Sequence, residues 1–185
     1  MYTINKTKLP GCVEIIPNIF DDHRGTSIKL YHSEIFKSLG IKDVLKEVLC
    51  VKSHKNVLRG LHYQKPPFCQ AKLVSCLRGS IFDVVVDIRE NSPTYGKFEC
   101  FHIDSKKNNI VYVPVGFAHG YLVLEDDTIV LYNMSEIYSP EHEGGIRWDS
   151  LSIPWPIKNP ILSDKDMNLP PFNDSIRISL NKRKR

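Results

Sequence analysis

The chain has 185 residues, 42% hydrophobic and 25% charged, the balance of a water-soluble globular protein of one domain rather than two. No apolar run approaches the ~18 residues of a membrane helix, and residues 1–12 lack the apolar centre of a signal peptide, so a cytoplasmic location without membrane contact is expected. The formal charge of +4 comes from Lys182, Arg183, Lys184 and Arg185; the other 21 basic residues face 21 acidic ones, which argues against nucleic acid as a partner and for a solvated basic tail over residues 177–185.

Five cysteines, Cys12, Cys50, Cys69, Cys76 and Cys100, are odd in number and widely spaced, which fits reduced packing thiols rather than disulfides or a zinc knuckle. In chain order, the pattern predicts one helix over Ser33 to Lys46. Ser33 would cap it, Ile35, Phe36, Leu39 and Val44 would face the core, and Gly40 would weaken it. From Val48 onward strands dominate: Leu73–Leu77, Ser80–Ile88, Lys97–Ile103, Ile110–Val113, Gly120–Leu124 and Thr128–Asn133. Turn signals separate them, and the regular spacing points to a β-sandwich or barrel. The proline-rich stretch from Ser150 to Pro171 should wrap that barrel as an extended strap, with a helical turn near Ser163 to Met167.

Several polar residues sit where chemistry is expected. Arg59-Gly60-Leu61-His62 brings a cation and an imidazole together, and strand alternation would turn Arg59 and His62 to opposite faces. His62 titrates near working pH and suits a general base, although a histidine with one structural hydrogen bond reads equally well. Lys72 opens an apolar strand and either extends outward or points into a pocket to meet an anion. Asp83 and Asp87 share one strand face and, if buried, need partners such as Lys72 or Arg89. His119 lies at a strand's mouth in a Pro-x-Gly-x-x-His sequence similar to the second cupin motif. The first cupin motif's His-x-His pair is missing, so a metal site is not expected. Tyr132 in Ile129–Asn133 is either a core aromatic or an acid.

Together these stretches resemble the dTDP-4-dehydrorhamnose 3,5-epimerase family. The resemblance runs from Asp22-His23-Arg24-Gly25 to Leu162–Asp166. It is strongest in Asn56–Gln64, Gln70–Val74, Phe82–Arg89, Ser92–Gly96, Pro114–Gly120 and Ser139–Trp148. It implies a mainly β, cupin-type barrel (a jelly roll) with a few short helices, one domain over residues 1–185, no metal or cofactor, and a homodimer that exchanges N-terminal strands. It also implies roles: His62 as base, Asp166 orienting it, Tyr132 as the opposing acid and Lys72 stabilising an enolate. Arg59, His119 and Tyr138 match substrate-pocket positions, and Arg24 matches a nucleotide contact in the partner's site.

The sequence departs from the family near the nucleotide. Where family members carry phenylalanines and a glutamate that holds thymine, this chain reads Thr26-Ser27-Ile28-Lys29, so Lys29 becomes a candidate nucleotide contact of opposite charge. A family Gln-x-Asn pair is replaced around Glu47-Val48-Leu49. These changes point to a GDP-linked 4-keto sugar, a heptose of surface polysaccharides for example, inverted at C3 and C5. The alternatives are a dTDP-4-keto-6-deoxyglucose 3,5-epimerase, a C3-only epimerase, a keto-sugar isomerase, a metal-dependent cupin oxygenase and a non-catalytic sugar-nucleotide binding module.

Overall fold

In a computed structural model of the chain, residues 2–180 are described. Thirteen short strands run through it: β1 (Tyr2–Lys6), β2 (Val13–Pro17), β3 (Ile19–Asp22), β4 (Gly25–Ile28), β5 (Glu47–Ser53), β6 (Leu58–Gln64), β7 (Lys72–Arg78), β8 (Ser80–Asp87), β9 (Phe98–Asp104), β10 (Ile110–Val113), β11 (Phe117–Val123), β12 (Thr128–Met134) and β13 (Glu143–Gly145). Two short α-helices, α1 (Ser33–Ser38) and α2 (Asp164–Met167), and a 3-10 turn at Pro140–His142 complete the elements of the described residues. A six-stranded sheet in the order β1-β2-β10-β7-β12-β5 faces a five-stranded sheet in the order β13-β6-β11-β8-β9. All pairings within them are antiparallel, the arrangement of a jelly roll.

Three apolar clusters explain why the sheets hold. The inner cluster is built from inward residues of both sheets, among them Val74, Ile81, Val85, Val111, Tyr121 and Val130. The outer face of the five-stranded sheet presents Leu61, Val84, Val86 and Ile88, and the C-terminal strap covers it with Ile153, Ile176, Ile178 and Trp155. The outer face of the six-stranded sheet presents Ile15, Leu73 and Ile110, which Phe36 of α1 and Ile41 cover. β8 is therefore buried on both faces, and its Val84-Val85-Val86 run reads as continuous apolar sequence rather than alternation.

The helix predicted to Lys46 ends at Ser38. Gly40 turns left-handed at φ +89°, and the chain leaves in extended form. His32, not Ser33, is the residue before the first turn, and no side chain caps it. Leu39 and Val44, expected in the core, are exposed, while Phe36 is buried. β11 begins three residues earlier than its pattern suggests, which sets His119 inside the strand rather than at its mouth. The strands β1 to β4, only four or five residues each, carry no clear sequence signal. The segment expected to be a tail from residue 177 is packed at Ile178, which is buried and whose backbone bonds to Ile88 and Glu90. Lys182–Arg185, expected to be a solvated end, lie outside the described residues.

Candidate active site

A cavity of about 300 Å³ opens between the two sheets at the end where β5, β6, β7 and β12 meet α2. β6 supplies Arg59 and His62, β7 supplies Lys72, β12 supplies Tyr132, and α2 supplies Lys165 and Asp166. Tyr138 and Glu143 form its rim, while Leu49 and Val51 of β5 make an apolar wall.

Strict alternation would place Arg59 and His62 on opposite faces, yet both line this cavity. The difference arises at Gly60, whose φ of +125° breaks the pleat opposite a register shift in β11. A Cβ at Gly60 would lie 2.6 Å from the Gly120 Cα, so the two backbones approach as only paired glycines allow.

His62 Nε2 and Asp166 Oδ1 are 2.6 Å apart, with Asp166 almost wholly buried and the imidazole 27% exposed. α2 exists at this place because Ser163 caps it, accepting from the Asp166 amide, and the same turn aims the carboxylate at β6. Gly60 N also donates to Asp166 Oδ2. Burial works to raise the Asp166 pKa, but the hydrogen bond and charge of His62 outweigh it and hold the carboxyl below its usual range. The bond assigns Nε2 as the proton-bearing nitrogen of neutral His62 and leaves the Nδ1 lone pair free to accept.

Lys72 lines the cavity rather than extending into solvent. Burial pulls its pKa down to about 8, against the opposing pull of Glu143 and Asp83. Tyr132 keeps its proton firmly: burial above all, with Tyr121 and Asp83 adding, raises its pKa well above 10. Arg59 donates from Nε to Ser53 Oγ at 3.1 Å. At the rim, Glu143 accepts from the Tyr138 hydroxyl at 2.6 Å and pairs with Lys165. The Tyr138 phenol is raised by that bond and Glu143 is lowered by its two donors against the pull of burial.

His119 does not line the cavity. It lies behind Tyr132, ring centroids 5.8 Å apart, and its Nε2 meets Asp83 Oδ2 at 2.6 Å with both side chains inaccessible. Burial lowers the His119 pKa although Asp83 pulls the other way. Of the two aspartates expected to need partners such as Lys72 or Arg89 if buried, Asp87 pairs with Arg89, whereas Asp83 meets the cross-strand His119. Arg24 and Lys29 stand apart from the cavity of their own chain. Arg24 sits on the β3–β4 turn, 78% exposed and paired with Asp22, and Lys29 follows β4. Glu143, Lys165 and Tyr121 escaped the sequence reading, although the Ser163-x-x-Asp166 capping pattern marked the turn that carries Lys165. Among the described residues, no group of three or more His, Cys, Asp or Glu is placed to hold a metal ion. Nor is any helix long and apolar enough to cross a membrane.

Comparison with known proteins agrees with this architecture. The family model for dTDP-4-dehydrorhamnose 3,5-epimerase matches residues 6–174. A dTDP-4-dehydrorhamnose 3,5-epimerase of Shigella flexneri is 41% identical over 173 residues, 92% of this chain and 96% of that one. The crystal structure of a Bacillus anthracis dTDP-4-dehydrorhamnose 3,5-epimerase with TDP and pyrophosphate bound superposes with a TM-score of 0.91 at 35% identity, covering 93% of this chain and 100% of the other. A Legionella pneumophila dTDP-6-deoxy-D-glucose-3,5-epimerase in complex with dTDP-4-keto-L-rhamnose gives a TM-score of 0.91 at 33% identity, covering 97% and 98%. This chain belongs to the dTDP-4-dehydrorhamnose 3,5-epimerase family and is an isomerase, an epimerase that acts on sugar nucleotides.

Proposed function

We propose that the chain inverts C3 and C5 of a dTDP-linked 4-keto-6-deoxy sugar, using His62, Lys72, Tyr132 and Asp166. The observation that carries this is the 2.6 Å His62–Asp166 pair opening onto the same cavity as Lys72 and Tyr132. A proton next to a ketone is weakly acidic, and its removal builds charge on the ketone oxygen. His62 takes the proton while Asp166 holds the ring in one tautomer and stabilises the imidazolium. Lys72, charged below about pH 8, offsets the enolate charge where it develops. Tyr132 delivers a proton to the opposite face. The 4-keto group is itself the electron sink, so the scheme asks for no cofactor and keeps the expected cytoplasmic setting.

The substrate assignment revises the one drawn from Lys29 and Glu47–Leu49. The relatives reported above are named for dTDP sugars, and none of them supports a GDP-linked heptose, so the dTDP reading takes its place. Two protomers pair by exchanging their N-terminal strands, which takes Arg24 and Lys29 to the nucleotide in the partner's cavity. The β3–β4 hairpin supports this: all eight of its residues but Ile28 are exposed, including Phe20 at 56%. Such a hairpin has too little core to stand alone.

The test is incubation with dTDP- and GDP-linked 4-keto sugars in D₂O, followed by proton NMR and mass. Deuterium at two carbons of the dTDP substrate is expected. Deuterium at C3 alone makes the enzyme a single-carbon epimerase, turnover only of the GDP sugar restores the first substrate assignment, and no incorporation refutes the enzyme reading.

A further inference from the structure

Behind Tyr132 lies a second phenol that the reaction scheme leaves unused. Tyr121 is wholly buried, packed against His119 and Tyr132 at ring-centroid distances of 6.4 and 6.2 Å. Its Oη makes no hydrogen bond of ordinary geometry among the described residues. The hydroxyls of Tyr132 and Ser53 are nonetheless close enough to act on its acidity. A buried hydroxyl without a partner is costly, and phenylalanine would fill the same space without that cost. The hydroxyl is therefore unexplained by packing.

Tyr132 supplies an explanation. Once its proton moves from Oη to the substrate carbon, a phenolate is left in a buried, low-dielectric place next to Asp83, where a bare anion is strongly disfavoured. Lys72 lines the cavity, Arg59 donates to Ser53 and reaches Tyr132 only through its charge, and His119 is already committed to Asp83. Tyr121 remains as the neighbouring donor. We propose that Tyr121 is a positioning residue that donates its hydroxyl hydrogen bond to the Tyr132 phenolate formed on proton delivery, and so favours inversion over return of the proton to the original face. No proton leaves Tyr121 in this step; solvent reprotonates Tyr132 between turnovers. Burial pushes the Tyr121 pKa to about 12, with Arg59 pulling against it, so the hydroxyl keeps its proton at working pH. Before delivery the Tyr121 contact helps hold the proton on Tyr132; once that proton has left, the neutral Tyr121 O–H turns donor to the phenolate.

The inference rests on Tyr132 being the acid, and one experiment separates the two. Tyr121→Phe, Tyr132→Phe and the double variant are assayed with dTDP-4-keto-6-deoxyglucose in D₂O, following inversion and deuterium wash-in separately. Tyr121→Phe should lower the inversion rate about tenfold or more, the size of a hydrogen bond to an ionised group, while wash-in and KM stay near wild type. Its melting temperature should not fall, since packing is kept and an unpartnered hydroxyl is removed. The double variant should be no worse than Tyr132→Phe alone, because the two act as one unit. Inversion within twofold of wild type in Tyr121→Phe, or an equal fall in inversion and wash-in, overturns the role of Tyr121 while Tyr132 stands. Full inversion in Tyr132→Phe overturns the acid assignment and the role of Tyr121 with it.

Discussion

Replacing Asp166 with asparagine perturbs a single interaction with little change of volume. In the wild type a carboxylate with one side-chain bond at 2.6 Å and a second from Gly60 N faces His62 Nε2. A hydrogen bond to a charged group contributes about 1.5–3 kcal/mol, a neutral one about 0.5–1.5, so the imidazolium formed on proton abstraction loses about 1–2 kcal/mol of stabilisation. The amide can also present its NH₂ to Nε2, which leaves the lone pair on the wrong nitrogen, a further loss. Together these correspond to about a tenfold to hundredfold fall in kcat. The assay is initial-rate deuterium wash-in at the carbon next to the ketone, which reports abstraction directly. The Asp166 carboxyl sits below its usual range, so its contribution to stability is present above the unfolded pKa and lost as pH falls through the lower, folded one. Asp166→Asn should remove that acid-side dependence of stability. Wash-in within twofold of wild type, with an unchanged acid melt, would refute the reasoning.

Other substitutions make separate demands on the structure. Lys72→Met should lower kcat by at least two orders of magnitude. It should also stabilise the fold at neutral pH by up to about 3 kcal/mol, since a lysine depressed to about 8 loses stability as pH falls from its unfolded pKa to the folded one; urea titrations at pH 7 and pH 10.5 read the difference. For the wild type, kcat should fall as pH rises through about 8, where Lys72 loses its charge, and Lys72→Met should lack that limb. Asp83→Ala leaves the neutral His119 ring buried with an unpaired N–H and should cost about 1–3 kcal/mol in urea denaturation. Gly60→Ala forces a Cβ to within 2.6 Å of Gly120 and should lower the melting temperature and activity together, whereas alanine at the open Gly40 should affect stability alone.

The barrel was legible because β7, β8, β10 and β12 are apolar segments with turn residues between them, and their bounds differ from the predicted ones by a residue or so. β1 to β4 were not, since Tyr2–Lys6 and Gly25–Ile28 are short and mostly polar, and their pairing depends on residues far along the chain. In the site, the residue types of His62, Lys72, Tyr132 and Asp166 could be read from motifs, but their convergence could not. Alternation misplaced Arg59 relative to His62 because a left-handed glycine interrupts β6. The Asp83 partner was missed because β8 and β11 bring His119 within reach across 36 residues of sequence. Lys29 changes charge at a position that lies outside the cavity of its own chain, so its sign alone could not define the nucleotide.

The His62–Asp166 contact joins residues 104 apart in sequence. Every strand of the two large sheets precedes the α2 turn that delivers the carboxylate, so the chain can complete its barrel while the imidazole still lacks its anion. Order of assembly then becomes a safeguard: a nascent or clipped chain ending before Ser163 has a cavity with Lys72 and Tyr132 but a histidine without its carboxylate partner. Under the proposed mechanism, competence waits until the strap has wound back across the finished sheets, so a segment that follows every strand in the chain completes the base.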